Sequence, residues 1–89
     1  MNYLNAKIIG SAQGAVDLKR RLDHIEEARS SKEFKLAERY IKCAGLDAIL
    51  AKGEYLRLSA VNDALTGANI DPVARIAVKR ALERTGLLI

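Results

Sequence analysis

The sequence predicts an all-α fold, a small bundle of about five helices, and three observations carry that expectation. Ala, Leu, Ile, Lys, Arg and Glu dominate the composition, all but one of them strong helix formers. Aromatic residues are scarce (Phe34, Tyr3, Tyr40 and Tyr55), which leaves an aliphatic core. From Ala15 onward, apolar residues recur at three and four, and glycines and capping residues cut the pattern into helix-sized pieces. At 89 residues the chain makes one domain, near the lower end of what folds without staples.

The first 29 residues read as an N-terminal arm and helix. Met1 to Gly14 leave two readings open, one helical turn or a short extended arm, because Gly10 and Gly14 loosen the segment that holds Tyr3, Leu4, Ile8 and Ile9. Ala15, Leu18, Leu22 and Ile25 then form a narrow seam of the kind that packs on another helix, either in the domain's own core or on a second copy. These four are the candidate dimer seam. Ser30-Ser31-Lys32-Glu33 fits a capping box with Ser30 as the cap, so a helix is expected over 31–44, stopped by Gly45.

A short helix follows over 47–52, then Gly53, a turn at 53–56 and a helix over 57–66. Gly67 is expected to end that helix in the left-handed conformation. Asp71 caps the next helix and Pro72 takes its first position, giving a helix over 72–85 closed by Gly86. Leu87-Leu88-Ile89 is expected to fold back on its last turn. The expected core is Leu22, Ile25, Phe34, Ile41, Leu50, Val61, Leu65, Ile76 and Leu82.

A short helix, a turn and a second short helix, braced by one helix before and one after, is the layout of a helix-turn-helix unit, here within residues 31–89. Val61-Asn62, Leu65, Gly67, Ile70, Pro72, Arg75, Val78, Ala81 and Gly86-Leu87 resemble the second half of a lactose-repressor-type DNA-binding headpiece. That family carries V-S-x-x-L-N-G, a short connector, then V-S-P-x-T-R-x-x-V-x-x-A and a closing G-Y; Cro-like repressors share the L-x-G corner. The connector after Gly67 is one residue shorter here, Asn62 replaces the usual Ser, and Ala74 replaces Thr. The resemblance spans residues 57–87. It implies a helix-turn-helix protein that binds double-stranded DNA, with base-contacting side chains at Ser59, Ala60 and Asn62.

The chemistry of the residues adds to that set. Arg57 can pair with guanine and Asn62 with adenine in the major groove. Arg75 with Lys79, and Arg80 with Arg84, are each one turn apart and form two adjacent basic stripes for phosphate contact; the alternative is a solvated face with cations near a helix C-terminus. One such unit buries little DNA, so a homodimer is expected, acting as a repressor or accessory regulator of phage or plasmid type. The competing expectation is a helical protein-interaction module, antitoxin-like or inhibitor-like, whose partner is another protein. The net charge of +4 permits either.

Other classes of function find no support in the residues. A single cysteine allows no internal disulfide, so Cys43 is a free thiol, read as structural and half-buried, and a reducing cytoplasm is the simplest home. No apolar run approaches the roughly 20 residues of a membrane span. Lys7 and Asn5 break any signal-peptide pattern. His24, the single histidine, reads as a surface residue, and one His with one Cys offers no metal site. Gly10-Ser11-Ala12-Gln13-Gly14 lacks the Lys-Ser/Thr ending of a phosphate loop. No catalytic set, cofactor or small-molecule ligand is expected.

Overall fold

The structure, a computed structural model, describes the backbone of residues 2–89 and the side chains of residues 16–89. Five helices follow in order: α1 (Asn2–Arg29), α2 (Lys32–Cys43), α3 (Leu46–Ala51), α4 (Leu58–Gly67) and α5 (Pro72–Arg84). The bounds expected for the last four lie within one residue of these. There is no sheet among the described residues, only an isolated parallel bridge between Leu56 and Leu88.

Local chemistry explains each boundary. Ser31, rather than Ser30, caps α2: its hydroxyl oxygen accepts from the Phe34 N–H at 3.2 Å and its proton goes to the Ala28 carbonyl at 2.6 Å. Ser30 instead donates to the Glu26 carbonyl one turn back. Within α2, the Lys42 ammonium lies 2.8 Å from Glu38. This hydrogen bond holds the Glu38 carboxyl below its ordinary pKa and Lys42 above its own. The Asp71 carboxylate accepts from the Val73 N–H at 3.1 Å, with Pro72 following as expected.

The end of α4 departs from the expectation. Gly67 stays helical, and Asn69 takes the left-handed conformation at φ 56°. The Asn69 N–H then bonds the Thr66 carbonyl and the Ile70 N–H bonds the Leu65 carbonyl, both at 3.1 Å. This is a Schellman motif, with Asn in the place more often held by Gly. α5 ends the same way, Gly86 bonding Glu83 and Leu87 bonding Leu82.

α2 and α5 form the most extensive helix pair; α3 packs on α2, α4 on α5, and α1 on both α2 and α3. Phe34 and Ile41, Leu46 and Leu50, Val61 and Leu65, and Val78 and Leu82 converge from the four short helices into one core. From α1 only Ile25 and Ala28 join it among the described residues. Arg29 ties α1 to α3 side-on: its Nε lies 2.9 Å from Asp47 Oδ1, and its Nη2 donates to Oδ2 at 3.0 Å.

Two residues expected in the core lie outside it. Leu22 is 36% exposed and Ile76 54%. Conversely Leu56 and Leu87, in the connection before α4 and at the chain end, are buried. Leu56 N–H donates to the Leu87 carbonyl and Ile89 N–H to the Leu56 carbonyl, both at 2.8 Å, so the last residues fold back further than expected. None of the described helices is long and apolar enough to cross a membrane.

Gly53 turns the chain out of α3 at φ 84°, and a Cβ there would come 2.9 Å from Leu18 Cδ1. Gly45 turns at φ 76° with nothing within 4 Å. Gly45→Ala is therefore expected to cost about 1–2 kcal/mol, the left-handed strain alone. Gly53→Ala is expected to cost about 1 kcal/mol more, since Leu18 and Leu22 must move as well. Urea titrations of the two variants check this; equal losses would mean that the α1 leucines yield freely.

Candidate nucleic-acid interface

α4 owes its orientation to Val61 and Leu65, one turn apart and both fully buried. Anchoring that edge turns Ser59, Asn62, Asp63 and Thr66 outward, where all four are exposed. Ser59, Asn62 and Thr66 follow at intervals of three and four along one ridge. Ala60 is exposed on the flank of the helix. Arg57, exposed in extended backbone, stands immediately before the first turn, which has no side-chain cap.

The ridge continues onto α5 through Arg75. The Thr66 hydroxyl donates to the Asn62 carbonyl at 2.8 Å and accepts from Arg75 Nη1 at 3.3 Å, while Arg75 Nε donates to the Ile70 carbonyl at 2.6 Å. Arg75 is thus a clamp across the α4–α5 corner, a role that the motif match to its position did not reveal. Lys79, half-buried, lies one turn further on the same side of α5. Asp63 sets a carboxylate among the ridge residues.

Arg80 and Arg84 lie elsewhere. They project about 140° around the α5 axis from Arg75 and Lys79. There they line a groove against α2 with Glu33, Leu36, Ala37, Ala77 and Ala81. The four phosphate candidates therefore divide into two pairs on different sides of α5.

The helices that the resemblance would pair, α3 and α4, are joined by six residues, Lys52–Arg57. α3 packs on α1 and α2, whereas α4 packs on α5. Of the seam candidates, Ile25 is in the domain's own core, Leu18 and Leu22 lie over Gly53, and Ala15 falls outside the described side chains.

Two further side chains differ from their sequence reading. His24 is half-buried rather than on the surface, with Nδ1 2.8 Å from the Tyr55 hydroxyl and the two rings 5.6 Å apart. It joins α1 to the connection before α4, a long-range contact that spacing cannot signal. Cys43 is exposed, because α2 turns only Phe34, Ala37 and Ile41 fully inward. No group of three or more His, Cys, Asp or Glu among the described residues is placed to hold a metal ion. No protein-family model, no curated protein and no solved structure matches this chain.

Proposed function

We propose that the chain is a small helix-turn-helix-type protein that binds double-stranded DNA through the outward face of α4. The supporting observation is that Ser59, Ala60 and Asn62 are exposed on a helix that Val61 and Leu65 fix to the core, with Arg57 exposed immediately before it. In this reading Asn62 and Arg57 meet base edges in the major groove, Ser59 and Ala60 pack beside them, and Lys79 contacts the phosphate backbone. Arg75 acts by holding the corner that sets α4 against α5. A homodimer supplies the second half-site, and occupancy of that site represses or assists transcription.

Fluorescence anisotropy with duplex DNA at two salt concentrations tests this. Asn62→Ala and Arg57→Ala are expected to erode preference at particular bases by about 1–3 kcal/mol. Lys79→Ala is expected to weaken all sequences alike and to lower the salt slope by about one unit. Absence of binding to any duplex at about 50 mM salt, where non-specific attraction is strong, ends the reading.

A second reading, that the same face of α4 docks a protein, draws on Asp63, whose carboxylate stands where phosphate would approach. Asp63→Asn separates the two: it tightens duplex binding if the face reads DNA and leaves duplex binding absent if it docks a protein.

A further inference from the structure

Leu36 is 77% exposed on α2, and Val73, on α5, is 75% exposed. Leu36 lines a groove between α2 and α5, and Val73 stands one turn before Ala77, which lines the same groove from α5. Leu36 and Ala77 meet there in a groove of about 210 Å³ that Ala37 and Ala81 complete. Along α5, Val73, Ile76, Ala77, Arg80 and Arg84 follow at intervals of three, one, three and four, a single outward stripe. It is apolar towards the start of the helix and cationic towards its end.

On α2, Lys32 and Arg39 stand one turn before and after Leu36 on its side away from the groove, and the Arg39 guanidinium donates to the Tyr40 hydroxyl at 3.0 Å. Neither Arg80 nor Arg84 forms an ion pair among the described residues. Glu33 is the one carboxylate lining the groove. The face therefore combines an apolar centre with a basic rim, and both parts need a complement.

That chemistry selects among occupants. A phosphate backbone would satisfy the arginines but leave Leu36, Val73 and Ile76 against a highly charged, hydrated surface. A second copy of the same face would match the apolar residues but set cation against cation. A helix with an apolar stripe between carboxylates matches both parts.

We propose that the α2–α5 face docks an acidic amphipathic helix of another protein, with Leu36, Val73 and Ile76 taking its apolar side chains and Arg80 and Arg84 pairing with its carboxylates. This goes beyond the α4 reading and stands or falls separately from it, because Arg80 and Arg84 project away from the α4 side of α5.

The test is fluorescence anisotropy of a labelled helical peptide of about 16 residues, with Leu at helical spacing and Glu on both flanks, titrated with the intact protein. Binding is expected, falling about tenfold or more in Leu36→Glu and in the double variant Arg80→Glu with Arg84→Glu. Circular dichroism establishes that both variants keep their helices, as substitution at exposed positions should allow. The same peptide with Lys in place of Glu is expected to bind the double variant better than the parent. Failure of the Glu peptide to bind at about 100 μM overturns the proposal whatever DNA does. So does equal binding of the Lys and Glu peptides to the parent. Displacement of the peptide by duplex DNA would assign the arginines to phosphate and overturn it likewise.

Discussion

Phe34→Ala is expected to lower the stability of the domain by about 3–5 kcal/mol, the loss typical when a fully buried aromatic ring is removed. Phe34 is 1% exposed, in the first turn of the helix that α1, α3 and α5 all contact. The cap is not at stake, since the Ser31 hydroxyl takes the backbone N–H of residue 34 and not its side chain. The measured loss should therefore report the ring and the cavity it leaves. Small domains hold only about 5–15 kcal/mol in total, so much of the variant should be unfolded in mild denaturant. Chemical denaturation with an unchanged m-value checks the magnitude; a loss below about 1 kcal/mol would place Phe34 outside the core.

The second large effect lies under the candidate interface. Leu65→Ala is expected to cost about 2–5 kcal/mol. Leu65 is fully buried, and its carbonyl accepts the Ile70 N–H that closes the α4–α5 corner. Val61 and Leu65 are the only fully buried residues of α4, so the loss should also be local. Amide exchange should quicken in α4 more than in α2. A loss under about 0.5 kcal/mol would mean that Leu65 faces solvent.

Helix boundaries were legible because each is set by a residue or two acting locally: Ser31, Gly45, Gly53, Asp71 with Pro72, and Gly86. Where two candidates stood side by side, sequence could not choose. Ser30 with Glu33 satisfied the spacing of a capping box, yet the helix starts one residue later and Ser31 takes the cap. Gly67 was the better left-handed residue by propensity, but α4 runs on through Gly67, Ala68 caps it and Asn69 makes the turn.

Burial was less legible, for a different reason. The first half of α5 is apolar nearly all round at Val73, Ala74, Ile76, Ala77 and Val78, so periodicity alone leaves the inward face undetermined. It is fixed by α5 lying between α2 and α4, which selects Ala74 and Val78 over Ile76. Leu22 fits the seam of α1, but α1 meets the body through Ile25 and Ala28, leaving Leu22 to lie over Gly53.

For the candidate site, the exposure of Ser59, Ala60 and Asn62 follows from helical spacing against Val61 and Leu65. Arg75 with Lys79 and Arg80 with Arg84 read as adjacent stripes, yet a five-residue offset at roughly 100° per residue sets them on different sides of α5. What each pair faces depends on which helix packs on which side of α5, and no local pattern encodes that.

The pairing of Leu56 with Leu87 and Ile89 turns the last third of the molecule into a lariat closed without a covalent bond. The knot of that lariat sits one residue before Arg57, so the carboxyl end of Ile89 emerges beside the entrance to α4. A peptide, tag or fused domain attached after residue 89 would leave the body at that point, within reach of the ridge that carries Ser59 and Asn62. One attached before α1 would leave from the opposite end of a 28-residue helix. The choice of terminus therefore decides whether appended chain crowds the α4 face or stands clear of it.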